Sequence, residues 1–372
     1  MDEIKHIGLG GRGMNFLKIV ILIIIMILLV VGFLYLYPGV GRTPTKADMA
    51  RYAAVTDRVI DGVFTNIREI KNNMHDQYAP SDRRKPTDVI PVEKIETVEK
   101  ANPSDLNVYW LGHSSLLVQL GDKNILIDPV LTDFASPVGF VGVKRFSDIP
   151  IMPEKLPNID MLLLSHDHYD HLDYQTVMEI KDRVGMFVVP LGVETYLLGW
   201  GIPKEKITVM SWWDEAAIDD ISVTATPCQH FSGRNPLKSN TSWWCGYVFS
   251  DSNHTVYYTG DGGYTDEFKE IGQKFDIDLA LVECGQYDPA WRSSHMYPEE
   301  SAQAAKDVGA KWIIPVHFGA FCICNHAWDD SIIRIMNVKD EMDLNIATPI
   351  IGQKVVYDEI DTYNNAWWEK IN

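Results

Sequence analysis

The stretch SHDHYDH, residues 165–171, follows directly on the apolar run IDMLLL, residues 159–164, and decides how the rest of the chain is read. His166, His168, Asp170 and His171 fall within six consecutive positions at the end of what reads as a buried strand. A histidine in a core usually stands alone with one hydrogen-bond partner. Four ligand-type side chains crowded at a strand end are instead half of a metal cage. Capping of a following helix by Asp170 or Asp173 explains an aspartate but leaves three histidines unaccounted for.

Such a cage needs further ligands at other strand ends. His230 follows ISVTATP, Asp261 follows TVYYTG, and His317 closes WIIPV. Each is the last polar group of an apolar run before a glycine-containing loop. Five histidines and two aspartates suffice for two metals with a shared aspartate. Around them the chain reads as short strands first and helices later, in two rounds. NVYWLG, SLLVQL and NILIDP come in quick succession, with a Gly121-Asp122 turn between the last two. Two packed sheets with outer helices fit this order better than one doubly wound sheet.

These residues resemble the metallo-β-lactamase superfamily, and within it the N-acyl-phosphatidylethanolamine-hydrolysing phospholipase D group. The likeness spans roughly residues 105–357. It is carried by WLGHSS at 110–115, Asp128-Pro129, SHDHYDHLD at 165–173, Trp212-Trp213-Asp214, Thr259-Gly260-Asp261, Tyr287 with Pro289 and Trp291, His295, and PVHFG at 315–319. The resemblance implies an αβ/βα sandwich of two mixed sheets flanked by helices. It also implies one metal held by His166, His168, His230 and Asp261, and a second held by Asp170, His171, His317 and the shared Asp261. Nitrogen and carboxylate ligands without thiolate suit two zinc ions, with iron or manganese as alternatives. The implied chemistry is phosphodiester hydrolysis of N-acyl-phosphatidylethanolamine to an N-acylethanolamine and phosphatidic acid by a hydroxide bridging both metals. Asp170 and His295 are the implied catalytic residues, His295 by stabilising a phosphate oxygen or protonating the leaving alkoxide. His113, in a Gly-His-Ser-Ser turn, is as readily a structural hydrogen-bonder as a group orienting a ligand from behind. The alternative substrate for the same centre is a soluble ester or lactone, as in lactonase-like hydrolases of this superfamily. A closed structural zinc in a non-catalytic membrane protein fits less well, because none of the seven candidate ligands is cysteine.

The N-terminus is a separate problem. Ile19 to Tyr37 carries no charge, which at about 1.5 Å per helical residue nearly spans a bilayer core of about 30 Å. It is longer than a signal-peptide core and lacks a small-residue cleavage site after it. The expected organisation is a tail over 1–18, a transmembrane helix over 19–37, a connector over 38–104 and a catalytic domain over 105–372. In the connector, Val55, Val59, Val63 and Ile67 recur every fourth residue, predicting one amphipathic helix across 47–74; prolines 80, 86, 91 and 103 predict an extended link after it. A short tail with three basic residues favours an inward N-terminus and a catalytic domain outside the cytoplasm.

Composition sets outer limits. In 372 residues, 51 acidic side chains face 33 basic ones, a net charge of −18. Nucleic acid is not an expected partner of so acidic a chain; phospholipid membrane and a lipid substrate are, and a homodimer is compatible. Residues 1–40 hold three basic and two acidic groups, so the remainder carries −19. Five cysteines form no even disulfide framework. Tryptophans occur in adjacent pairs at 212–213, 243–244 and 367–368, which on a strand would place one of each pair in the core and one outside.

Overall fold

The computed structural model describes residues 10–235 and 237–372. Two mixed sheets stack face to face. The first has seven strands in the spatial order Ile207–Met210, Val184–Pro190, Ile159–Leu163, Lys123–Ile127, Leu116–Leu120, Leu106–Trp110 and Lys354–Val356. Its first four strands run parallel and the others alternate. The second sheet has six strands, Glu215–Ile218, Ile221–Thr226, Gly246–Ser250, Thr255–Tyr258, Leu279–Glu283 and Trp312–Val316. There the first four alternate and the last three are parallel.

Apolar runs without a polar gap are what such strands need, because the first sheet is covered on both sides. Met161 and Leu163 enter the core between the sheets. Leu162 and Leu164 point the other way, onto Val177, Ile180, Tyr196 and Leu197 of the outer helices Tyr174–Ile180 and Glu194–Gly199. The helices Pro298–Asp307 and Asp330–Met342 cover the second sheet's outer face through Ala302, Ala305 and Ile335. Ile221–Thr226 and the strands 255–258, 279–283 and 312–316 all point the same way, so their C-terminal ends share one edge.

The N-terminal region departs from its expected course. The helix α1, Gly10–Leu36, begins well inside the expected tail; residues 1–9, with Lys5 and His6, lie outside the described residues. Its stretch Phe16–Phe33 is long and apolar enough to cross a membrane, and none of it is buried among the described residues. The amphipathic helix expected across 47–74 is absent. The helix α2, Lys46–Tyr52, starts on a Thr45–Asp48 capping box and stops after seven residues. Val59–Ile60 and Val63–Phe64 then pair as a hairpin. Asp61 and Gly62 sit at φ +52° and +79°, the left-handed pair that a two-residue type I′ turn requires, and Asp-Gly meets it with little strain. The four-residue recurrence of valines was thus overruled by turn chemistry. Residues 79–104 are no free link either: Ile90 and Ile95 are buried, and Ser81 and Glu93 donate backbone hydrogen bonds to Asn325 and Ile351.

Two tryptophan pairs also depart from alternation. Trp243 and Trp244 are both buried, as are Trp367 and Trp368, because they lie in a loop and in a 3-10 turn rather than on strands. All five cysteines are buried free thiols.

Candidate metal centre

Every candidate ligand sits in a loop that follows a strand, one strand in the first sheet and three in the second. His166, His168, Asp170 and His171 follow the strand 159–163, His230 the strand 221–226, Asp261 the strand 255–258, and His317 the strand 312–316. The loops bring them together. His166 Nε2 and His230 Nε2 face His168 Nδ1 at 2.9 and 3.2 Å. His171 Nε2 lies 3.0 Å from Asp261 Oδ2, and His317 Nδ1 lies 3.3 Å from Asp261 Oδ1. Ligand atoms of His166, His168 and His230 form one tight group; those of His113, Asp170, His171 and His317 form another; His166, His171 and Asp261 link them.

The outer ring nitrogens are held from behind, which fixes which nitrogen faces inward. His166 Nδ1 is 2.9 Å from Ser165 Oγ and His230 Nδ1 3.0 Å from the Ser294 carbonyl, while His317 Nδ1 lies between Ser114 Oγ at 2.8 Å and Asp261 Oδ1 at 3.3 Å. His171 Nδ1 meets Asp128 Oδ2 at 2.7 Å. Asp128 is wholly buried and also accepts from the Ser165 amide and the Tyr258 hydroxyl. His113 Nε2 bonds Asp170 Oδ2 at 2.9 Å. His113, Asp128 and His317 all adopt left-handed backbone, at φ +54°, +39° and +70°. Three such non-glycine residues around one centre mark local strain held in place by the surrounding fold.

The donor set fits metal ions. Among buried side-chain atoms, His171 Nε2, His317 Nε2 and Asp261 Oδ1 make no well-formed hydrogen bond, although the first lies 3.0 Å from Asp261 Oδ2 and the last 3.3 Å from His317 Nδ1. Orphaned buried polar atoms are costly unless something pairs with them. Burial and mutual repulsion among the imidazoles hold His166 and His230 well below the usual histidine range, so they are neutral, the form that ligates. Around His171 burial opposes a charge, but Asp261, Asp170 and Asp128 outweigh it and push its pKa well up. The place is built to hold positive charge. Burial raises Asp261 to about 6 against the pull of His171.

His295 stands beside the cluster, near both His230 and His317. Its Nδ1 lies 2.9 Å from Oε1 of Glu283, a fully buried carboxyl at the last position of the strand 279–283. Burial drives the Glu283 pKa well up and the His295 pKa down, so the shared proton resides on Glu283 and His295 presents Nε2–H. The mouth is a cavity of about 270 Å³ lined by His168, Asp170, Asp261, His295 and His317 on its floor and by Met74, Phe231, Trp291 and Ile323 on its walls.

Several residues of the site carried no expectation. Asp128 appears in the sequence as Asp-Pro after an apolar strand, a position of the same kind as the ligands themselves. Glu283 is a lone acid closing the run IDLALVE, which was legible as an oddity. Asn66 offered no signal: from the N-terminal hairpin region it bonds the backbone of His230 in both directions and accepts from Trp244 Nε1.

A model of the β-lactamase superfamily domain matches residues 123–318. An uncharacterized protein of Mycobacterium tuberculosis (strain ATCC 25618 / H37Rv) is 35% identical over 330 residues, spanning 83% of this chain and 87% of its own. The N-acyl-phosphatidylethanolamine-hydrolyzing phospholipase D 1 of Caenorhabditis elegans is 31% identical over 293 residues, 74% of this chain and 82% of its own. A metallo hydrolase of the archaeon Ignicoccus hospitalis KIN4/I superposes with a TM-score of 0.52 at 19% identity, over 68% of this chain and 98% of that one, a likeness of fold.

Proposed function

The chain belongs to the β-lactamase superfamily as a metal-dependent hydrolase, and from that premise we propose that it is a membrane-anchored phosphodiesterase of phospholipase D type acting on N-acyl-phosphatidylethanolamine. The observation that carries this reading is the wall of the mouth. Met74, Phe231, Trp291 and Ile323 make an apolar approach to a polar floor, which suits a substrate with long acyl chains and a phosphodiester head, and suits a small polar lactone poorly. The apolar helix α1 agrees, since it would keep the mouth beside a substrate that never leaves the bilayer. The sequence relationship to the nematode phospholipase D supports the same class.

In this reading His166, His168 and His230 would hold one zinc ion and Asp170, His171 and His317 a second, with Asp261 available to either. Bound there, the pair supplies Lewis acidity to the phosphoryl oxygens and acidifies water. The chain's own groups do the rest. Asp128, Ser114, Ser165 and the Ser294 carbonyl keep the imidazoles aimed, so little reorganisation remains at the moment of reaction. Asp170, half-buried at the mouth and steadied by His113, accepts a proton from the attacking water. His295 gives its Nε2 proton to the ethanolamine oxygen as the phosphorus–oxygen bond breaks, and regains one at Nδ1 from Glu283.

The test is a substrate panel. The zinc-loaded full chain in phospholipid is given N-acyl-phosphatidylethanolamine, phosphatidylethanolamine, a bis-aryl phosphodiester and a lactone. Release of N-acylethanolamine and phosphatidic acid is expected; turnover confined to the lactone would overturn the assignment.

A further inference from the structure

The chain emerging from α1 is not a loose tether. The Pro38 carbonyl accepts from Trp200 Nε1 at 2.7 Å, and the Arg42 carbonyl from Thr195 Oγ1 at 2.7 Å. Between them, Gly39 and Val40 present their carbonyls to Nη2 and Nε of Arg234, at 2.5 and 3.2 Å. The same guanidinium donates through Nη1 to the carbonyls of Asp167 and Leu172, at 3.2 and 2.6 Å. Arg234 is 1% exposed and lies over the rings of Tyr169, Tyr196 and Trp200. One buried cation therefore ties the exit of α1 to the loop bearing His166, His168, Asp170 and His171.

Two loops flank this exit, and both end in bare apolar side chains. A methyl on Gly39 would meet the Pro137 carbonyl at 2.2 Å, so the segment joining Phe134–Ala135 to Val143–Lys144 abuts the exit directly. Three residues beyond Pro137, Phe140 is 77% exposed and Val141 57%. On the other flank Lys238 Nζ reaches Thr43 Oγ1 at 3.3 Å, and its neighbour Leu237 is 69% exposed. We propose that Phe140, Val141 and Leu237, set on either side of the point where α1 leaves the domain, form the face by which the domain lies on the bilayer that α1 crosses. The proposal rests on reading α1 as a membrane span, and that span supplies the occupant: whatever surrounds its apolar side chains meets these tips first. Exposed aliphatic and aromatic groups beside an interface are stabilised by entering it.

Charge agrees locally where it disagrees globally. Beside the same hairpin a groove of about 520 Å³ is lined by Arg84, Lys85 and Lys144 against a single acid, Asp82, in a chain of net charge −18. Basic groups beside such a face would meet lipid phosphates. Cys322 closes that groove and the next residue, Ile323, lines the mouth of the metal centre, so the face leads from the bilayer to the site.

The experiment uses the full chain in phosphatidylcholine–phosphatidylglycerol vesicles, some carrying a spin label near the headgroup end of the acyl chain. Phe140→Cys, Val141→Cys and Leu237→Cys are each labelled with an environment-sensitive fluorophore, the native thiols being buried. Val89→Cys, 81% exposed beside the C-terminus, serves as control. Blue-shifted emission and several-fold stronger quenching at the three sites than at position 89 is the expected result. A chain that floats with the vesicles while all four labels quench alike overturns the face and leaves the anchor standing. A chain that does not float overturns the anchor, and the face with it.

Discussion

His295 and Glu283 share one proton across 2.9 Å, in a pocket that disfavours charge on both. The carboxyl donates and the imidazole accepts, leaving Nε2–H directed at the metal-side cavity. His295→Ala should lower kcat by roughly 10²–10⁴-fold with little change in KM, the usual weight of a general acid. Glu283→Gln keeps a donor to Nδ1 but has no proton to relay, so kcat should fall less than in His295→Ala while the alkaline limb of the pH–rate profile changes shape. An unaltered profile in Glu283→Gln would remove Glu283 from the reaction.

Asp128 acts only through others. It fixes His171 and Ser165 and touches no substrate space. Asp128→Asn should weaken metal affinity by about 10–100-fold, as replacements behind metal-ligating histidines do. Competition against a chromogenic chelator measures this, and unchanged affinity would mean that His171 is aimed by packing alone.

Removing metal should cost stability as well as activity. His171 Nε2, His317 Nε2 and Asp261 Oδ1 make no well-formed hydrogen bond, and a bound cation would satisfy them. At a free metal concentration a thousandfold above Kd, binding adds about 4 kcal/mol. Chelator-treated protein should unfold at a markedly lower temperature, and stoichiometric zinc should restore it. An unchanged Tm after chelation, with metal content verified as zero, would contradict the fit of the cluster to metal.

Gly62→Ala separates hairpin from helix. At φ +79° a side chain is strained, so the variant should lose more than about 1 kcal/mol in denaturant unfolding. A helix over the same residues would instead gain from the substitution.

Much of the centre was legible because four of its seven candidate ligands obey one rule: each is a polar residue just past the end of an apolar strand. His166, His230, Asp261 and His317 follow it, and the two-sheet core follows from runs such as IDMLLL that bury both faces. The same rule applied to Asp128 and Glu283 would have found the groups behind His171 and His295. Arg234 was beyond reach, since its partners are backbone carbonyls far away along the chain, and carbonyls leave no trace in sequence. The valine spacing in 55–67 misled because it crosses a turn: Val59 pairs with Phe64 and Val63 with Ile60, which puts the two valines on opposite faces of the ribbon, and Asp61-Gly62 was the stronger cue.

The two hydrogen bonds between Asn66 and the His230 backbone make the first hundred residues a structural dependency of the metal centre. A shortened chain beginning near Asn107 would drop Asn66 and strip Phe64 and Tyr52 from the aromatic stack on Trp243. It would lack the Met74 wall and expose a hydrophobic scar, so attempts to obtain a soluble enzyme should cut at the end of α1 and preserve everything after it.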